Sequence, residues 1–201
     1  QYTTSGSFAL VSELKQITIP HDNVKLFIMD APSFYTNIDK NHAYKVIQEF
    51  RDNINISLLL NALDMIMRDN IFKFGNAYFK QLTGCAMGTP CAPPYATLYF
   101  FIHKKHVIPK YGRQLQFYRQ FIDDAFGFWF YETESDLIAF ESFKEEICTF
   151  GPDLKWEIDK LTDKIVFLDL EISIENKKII THMHEKALNL FLYLPVHSVH
   201  P

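Results

Sequence analysis

The segment that determines this architecture reads Gln116-Phe-Tyr-Arg-Gln-Phe-Ile-Asp-Asp-Ala-Phe-Gly-Phe-Trp-Phe130, in which two aromatic stretches flank a pair of carboxylates. Stretches rich in Phe, Tyr and Trp are typical of buried β-strands, and a two-residue connection predicts a hairpin. We therefore predict that Asp123 and Asp124 occupy the exposed tip of a rigid hairpin. Adjacent carboxylates are unfavourable unless a cation is near, so the pattern indicates a divalent metal site. An ordinary Asp-rich turn is the alternative that this segment alone leaves open.

The composition is that of a globular chain of one medium domain, or of one domain and the beginning of another. Of its 201 residues, 48% are hydrophobic and 22% are charged, and the formal net charge of −4 does not indicate a basic nucleic-acid-binding surface. Cys85, Cys91 and Cys148 are odd in number and lack CxxC spacing, which favours an intracellular, reducing compartment. No apolar run reaches transmembrane length, so no membrane partner is expected. Both ends read as cut from a longer protein.

Hydrophobic periodicity predicts an α+β fold. The predicted elements are a strand at 24–30, helices beginning near Asp39 and Ser57, a hairpin at 71–81, a helix from about 93 to 108, the Asp123–Asp124 hairpin, a helix capped by Ser135 that buries Leu137, a strand at 154–158, a single strand over 166–175, and strands at 179–184 and 189–194. This order indicates an antiparallel sheet with helices packed on one face.

A third carboxylate, Asp30, ends the first predicted strand. If that strand neighbours the Asp123–Asp124 hairpin, three acids meet at one end of the sheet. Three hard oxygen ligands suit Mg²⁺, and a pair of such ions supports in-line phosphoryl displacement. Taken alone, Asp30 is better explained as a solvated acid at a strand end.

Three segments resemble motifs A, B and C of reverse transcriptases, most closely those of Penelope-like retroelements. They are Asp30-Ala-Pro-Ser-Phe-Tyr-Thr-Asn-Ile38, Gly84-Cys-Ala-Met-Gly-Thr-Pro-Cys-Ala-Pro-Pro-Tyr-Ala96 and Phe121-Ile-Asp-Asp124. The family motifs read roughly D-x-x-S-L-Y-T-N-I, G-x-A-M-G-T-x-x-A-P-x-Y-A-N-L and Y/F-I-D-D. Blocks at 167–172 and 190–201 resemble later parts of the family. The matches fall in the family's order and span residues 24–201, which is far more specific than a lone F/Y-x-D-D.

The resemblance implies the palm of an RNA-directed DNA polymerase, with a ferredoxin-like or RRM-like core. Residues 1–185 would form the palm, and 186–201 its end and the start of a truncated thumb, while the fingers and most of the thumb would lie outside this chain. Asp30, Asp123 and Asp124 would be catalytic and would hold two Mg²⁺ ions, for which Mn²⁺ can substitute. The implied partners are an RNA template, a DNA primer and deoxynucleoside triphosphates.

The resemblance also implies substrate-binding roles for Tyr35, Met87 and Gly88. Tyr35 falls where the family places an aromatic beneath the incoming sugar, where it would clash with a ribose 2′-OH. Met87 and Gly88 fall where motif B meets the nascent base pair, because Met can pack against a base and Gly permits close backbone approach. The structural alternatives are a core Tyr, a buried Met and a loop Gly with positive φ.

The sequence leaves two other functions open. A degenerate or domesticated palm could serve as a non-catalytic interaction or scaffold domain. A cyclase-type palm enzyme would need a Gly-rich triphosphate cradle, which the sequence lacks. Pro32, Phe121 and Thr97 depart from the family pattern, although none of them removes a metal ligand. Because phosphate binding needs several cationic contacts, we expect the chain alone to bind duplex weakly and to polymerise little.

Overall fold

The structure, a computed structural model, describes residues 2–19, 23–49, 56–68, 70–86, 88–152 and 154–185. Its helices are α1 (Ser7–Leu14), α2 (Lys40–Glu49), α3 (Ile56–Arg68), α4 (Ala92–Val107) and α5 (Glu134–Cys148), with a 3-10 turn at Ile108–Tyr111. Its strands are β1 (Val24–Asp30), β2 (Ile71–Phe74), β3 (Ala77–Lys80), β4 (Leu115–Phe121), β5 (Asp124–Phe130), β6 (Glu157–Ile158), β7 (Lys164–Phe167), β8 (Leu170–Glu175) and β9 (Lys178–Met183). Among the residues described, none of the helices combines the length and the apolarity needed to cross a membrane.

The central sheet has the strand order β4-β5-β1-β6 and is antiparallel throughout. The two aromatic stretches form β4 and β5, as predicted. The pairing of β1 with β5 runs without interruption from Val24 opposite Phe130 to Asp30 opposite Asp124. Every residue of β5 after Asp124 is buried, so this strand is covered on both faces. The sheet therefore holds the residues at its Asp30 end, including Asp124, in fixed positions.

Alternate residues of β1 belong to two hydrophobic clusters on opposite faces of the sheet. Phe27 and Met29 pack with residues of α2, α3, α4 and α5, whereas Val24 and Leu26 pack with residues of α1, β7 and β8. This division follows from the two-residue period of side chains along a strand. The α+β class and the antiparallel sheet with helices on one face are confirmed for α2–α5. The opposite face is covered by α1, which the periodicity did not predict, and by the small sheet β7-β8-β9.

Two predicted elements are wrong in detail. The predicted strand over 166–175 is a hairpin whose turn lies at Leu168 and Asp169, with φ of 55° at Leu168. Ile165 and Phe167 are buried before the turn, and Leu170 and Ile172 are buried after it. The alternation of apolar residues in the sequence therefore continues across a point at which the chain reverses direction. The cap of α5 is Thr133, whose capping box with Asp136 displaces Ser135 from that role. The prediction that this helix buries Leu137 is also wrong, because Asp136 is the buried residue of the two and Leu137 is exposed.

The predicted hairpin at 71–81 is confirmed as β2 and β3, and the predicted N-cap is confirmed by the His42 amide, which donates to the Asp39 carboxylate at 2.6 Å. The predicted strand at 154–158 is shortened to β6. The predicted strand at 189–194 and the thumb boundary at 186–201 lie outside the described residues.

Lys104 lies on α4 and is fully buried. Its ammonium is 5.3 Å from the ring centroid of Phe100 and 5.6 Å from that of Tyr118, and it donates a hydrogen bond to the Gln120 side-chain oxygen. The partner that accepts this hydrogen bond is thus a neutral amide. Burial lowers the pKa of Lys104 to about 7, since a low-dielectric interior disfavours the charged form.

We expect the free energy of unfolding of the wild type, relative to that of a Lys104→Met variant, to increase as the pH rises from about 7 towards 10.5. In this window the folded Lys104, with a pKa of about 7, has lost its proton, while the unfolded side chain with a pKa of 10.5 retains it. The unfolded state therefore binds more protons, and the free energy of unfolding increases with pH. Urea unfolding of both proteins at about pH 6 and about pH 9 measures this difference and cancels the titrations that both share. A difference that stays constant or changes in the opposite direction would contradict the expectation.

Candidate active site

The turn between β4 and β5 consists of Ile122 and Asp123. Phe121 pairs with Asp124, so the prediction that both acids occupy the tip is wrong for Asp124, which is the first residue of β5. Ile122 has a φ of 54°, and a positive φ at the first central residue is the pattern of a type II′ turn, which normally has Gly there. For a β-branched residue this conformation costs about 1–3 kcal/mol, and such strain is concentrated at functional sites.

Asp30 lies directly opposite Asp124 on the neighbouring strand. The Ala31 amide donates to the Asp123 carbonyl at 3.1 Å, which makes Asp30 and Asp124 a non-hydrogen-bonded pair with Cα atoms about 4.5 Å apart. Paired residues project their side chains from the same face of a sheet. The strand that ends at Asp30 is therefore adjacent to the hairpin, and Asp30, Asp123 and Asp124 meet at one end of the central sheet.

These carboxylates interact electrostatically. Burial, followed by the charges of Asp123 and Asp30, raises the pKa of Asp124. Burial, followed by the charge of Asp123, raises the pKa of the Tyr35 hydroxyl, which brings Tyr35 into the same environment. Concentrated negative charge of this kind is relieved by a cation.

The donor chemistry of this site fits Mg²⁺. Within the described ranges, no three His, Cys, Asp or Glu side chains are arranged as a preformed metal cage. Mg²⁺ does not require one, because it usually binds through one or two carboxylates and completes its coordination with water and substrate phosphates. The assignment of Asp30, Asp123 and Asp124 as metal ligands stays a prediction.

A fourth carboxylate, Glu157, lies at the same end of the sheet, and no motif in the sequence marks it. Glu157 on β6 lies opposite Asp30, so Asp124, Asp30 and Glu157 form a row across three adjacent strands of the sheet. The alternation of buried Leu154 and Trp156 shows only that Glu157 faces away from the helices. Its neighbour across the sheet is set by long-range pairing, which no local pattern of the sequence reveals.

The motif B segment contacts the loop that follows Asp30. The Cys85 amide donates to the Tyr35 carbonyl at 2.6 Å. Gly84 has a φ of 74°, and a Cβ atom there would lie 2.5 Å from the Thr36 carbonyl oxygen. Only glycine fits this close approach. The backbone of Gly84 and Cys85 therefore fixes the position of Tyr35 beside the carboxylates.

Of the other two predicted substrate-binding residues, Gly88 and Met87, the structure describes only Gly88. Gly88 is exposed with a φ of 93°, and a Cβ atom there would meet nothing within 4 Å. Its surroundings thus leave room for a ligand, and its conformation agrees equally with a loop glycine. Met87 lies outside the described residues.

Among the described residues, four basic side chains of α4, of the segment after it and of β4 are buried or ion-paired. Lys104 is buried, Arg119 pairs with Glu13, and Lys110 pairs with Glu146 at 2.8 Å. Arg113 lies 3.2 Å from Glu132. Such paired groups offer little charge for phosphate contacts, so weak duplex binding by this chain stays our expectation.

Neither a protein-family model nor a curated protein matches the chain, but solved structures are similar to it. Telomerase from Candida albicans in complex with the TWJ fragment of telomeric RNA has a TM-score of 0.64 and 13% identity, over 94% of this chain and 36% of that one. Apo telomerase from Candida tropicalis has a TM-score of 0.60 and 12% identity, over 88% and 36%. The BmCPV RNA-dependent RNA polymerase at elongation state has a TM-score of 0.55 and 12% identity, over 85% and 17%.

At these identities the similarity shows the fold alone. The chain has a palm-type fold like that found in telomerase and viral RNA polymerases. It spans 36% or less of the length of these three proteins. The predicted likeness to a polymerase palm is thereby confirmed at the level of the fold, while the closer likeness to Penelope-like elements depends on the sequence motifs.

Proposed function

We propose that this chain is the palm of an RNA-directed DNA polymerase, related to Penelope-like reverse transcriptases, that adds deoxynucleotides to a primer 3′-OH. The observation that carries the proposal is the placement of Asp30 opposite Asp124, beside the Asp123 turn, on a palm-type fold. The similar solved structures include a telomerase in complex with telomeric RNA and an RNA-dependent RNA polymerase at elongation state. An RNA template is accordingly the proposed partner.

Asp30 and Asp123 are the residues that would chiefly hold two Mg²⁺ ions, or Mn²⁺ in their place, with Asp124 assisting. When bound, the ions neutralise charge on the phosphates during in-line displacement. In the reaction, the primer 3′-hydroxyl gives up its proton to solvent and its oxygen forms a bond to the α-phosphorus of the deoxynucleotide, while the bond from that phosphorus to the oxygen shared with the β-phosphate breaks and pyrophosphate leaves. The uninterrupted pairing of β1 with β5 holds the carboxylates in fixed positions, and such positioning is a major source of rate enhancement.

Tyr35 is proposed to exclude ribonucleotides. Its backbone carbonyl is held by the Cys85 amide, and its ring packs edge-on against Phe34, with the ring centroids 5.7 Å apart. A ring held in this way beneath the sugar would clash with a 2′-OH. Gly88 and Met87 are proposed to approach the nascent base pair from the motif B side.

Primer extension on an RNA template tests the proposed function. In a longer chain that supplies fingers and thumb, the wild type should extend a primer with deoxynucleotides in the presence of Mg²⁺. A Tyr35→Val variant should lose about tenfold or more of the preference for deoxynucleotides, measured as the ratio of kcat/KM values, because steric discrimination by one group is worth about 1–3 kcal/mol. Tyr35→Phe, which keeps the ring, should retain the preference. Absence of Mg²⁺-dependent synthesis would overturn the function, and unchanged selectivity in Tyr35→Val would overturn the role of Tyr35 alone.

A further inference from the structure

The side chain of Gln120 links the interior of the domain to the Asp123 turn. Gln120 is on β4 and is almost completely buried. Its amide nitrogen donates to the Ile122 carbonyl at 2.5 Å, and its amide oxygen accepts from the Lys104 ammonium. A backbone carbonyl can only accept, so the Ile122 carbonyl fixes the amide nitrogen of Gln120 towards the turn and leaves the amide oxygen facing the Lys104 side chain, which donates to it. The Ile122 carbonyl belongs to the peptide that joins Ile122 to Asp123.

The backbone of Gln120 is anchored as well. Its amide donates to the Tyr2 carbonyl at 2.9 Å, and its carbonyl accepts from the Thr4 amide at 3.0 Å. On the other side, Gln120 lies opposite Ala125 of β5. The segment around Tyr2 and Thr4 thus covers the outer edge of β4 at the residue from which the side chain reaches the turn.

A buried lysine at this position requires an explanation, because burying an ammonium is costly and an apolar side chain of similar length would avoid the cost. The lowered pKa of Lys104, about 7, reflects that cost. The Ile122 turn also carries conformational strain, which persists only where surrounding contacts enforce it. The Lys104–Gln120–Ile122 hydrogen bonds supply such a contact directly at the strained peptide.

We propose that Lys104 and Gln120 are positioning residues that hold the Ile122–Asp123 peptide so that the Asp123 carboxylate stays beside Asp30 and Asp124. This inference rests on the proposed function and adds the interior hydrogen-bonded pair that organises its site. Gln120 acts through the turn backbone, and Lys104 acts through Gln120. Both side chains are buried in the interior, which leaves neither of them a surface on which substrate could be bound directly.

Mn²⁺ binding to the 201-residue chain, measured by calorimetry together with the free energy of unfolding, tests the inference. Gln120→Met removes both hydrogen bonds at similar side-chain length and should weaken Mn²⁺ binding by about tenfold or more, the usual effect of losing a group that orients a ligand. Lys104→Met should produce a smaller loss, because Gln120 can still donate to Ile122. The matched control is Gln116→Met, since Gln116 lies on the same strand, is exposed and donates to the Arg113 carbonyl at 2.7 Å. This control should bind Mn²⁺ as the wild type does.

The outcomes separate the inference from the proposed function. If folded Gln120→Met binds Mn²⁺ with wild-type affinity, the positioning role is overturned. The proposed function survives that result as long as Mn²⁺ binding by the wild type still depends on Asp123. If the wild type does not bind Mn²⁺, or if Asp123→Asn leaves that binding unchanged, the function and the inference both fail. If Gln120→Met does not fold, Lys104→Met decides: unchanged Mn²⁺ affinity in that variant, with reduced stability only, would mean a purely structural role.

Discussion

Replacing Asp123 with Asn is expected to reduce nucleotide addition by roughly 10³-fold. The substitution keeps the size of the side chain and removes its charge from a group of three carboxylates that interact with one another. Loss of several kcal/mol of charge stabilisation at the phosphates corresponds to this factor, at about 1.36 kcal/mol per tenfold in rate. Single-nucleotide addition on an RNA template, in a longer chain that supplies fingers and thumb, measures the effect.

The protein contains a closely matched control for this substitution. Asp169 is also the second residue of a two-residue hairpin turn, and it follows Leu168 with a φ of 55°, as Asp123 follows Ile122 with a φ of 54°. Asp169→Asn should leave the rate of nucleotide addition unchanged. If Asp123→Asn keeps more than about a tenth of the wild-type rate, or if Asp169→Asn is equally damaging, Asp123 does not have the proposed role.

Gly84→Ala is expected to lower the free energy of unfolding by about 3 kcal/mol. About 1–2 kcal/mol of this arises from forcing a left-handed φ of 74° on a residue with a Cβ atom. The remainder arises from overpacking, which typically costs about 1–3 kcal/mol, because the new Cβ would lie 2.5 Å from the Thr36 carbonyl oxygen. The clash is with backbone, so it cannot be relieved by rotating a side chain. Urea unfolding monitored by circular dichroism measures the loss.

Gly75→Ala separates the two contributions. Gly75 has a φ of 60°, and a Cβ atom there would meet nothing within 4 Å, so only the conformational cost of about 1–2 kcal/mol applies. Gly84→Ala should therefore be clearly more destabilising than Gly75→Ala. Equal losses would show that the loop of Gly84 does not press against the loop of Thr36, and that the contact joining motif B to motif A is absent.

The features that local patterns could predict are those that local physics determines. The β4–β5 hairpin follows from two aromatic stretches with a two-residue connection, and the N-cap at Asp39 follows from the residue type alone. The adjacency of Asp30 to this hairpin depends on pairing between residues almost a hundred positions apart. The resemblance to a polymerase family indicated that adjacency, which hydrophobic periodicity alone could not establish.

The features that local patterns do not predict depend on how each helix or strand is rotated and on which other elements it contacts. The turn at Leu168 was hidden because the alternation of apolar residues continued past it. Lys104 belongs to the basic last turn of α4, yet the phase of that helix places it against Tyr118. Gln120 and Glu157 gain their importance from neighbours on other strands or helices, and no spacing in the sequence marks them.

Titration of the 201-residue chain with Mn²⁺, followed by electron paramagnetic resonance, tests most directly whether Asp30 and Asp123 share one cation site. We predict saturable binding that is strongly weakened both by Asp30→Asn and by Asp123→Asn, although these residues come from separate parts of the chain, and that is unaffected by Asp169→Asn. Binding that is insensitive to Asp30→Asn, or the absence of saturable binding by the folded wild-type chain, would contradict this prediction.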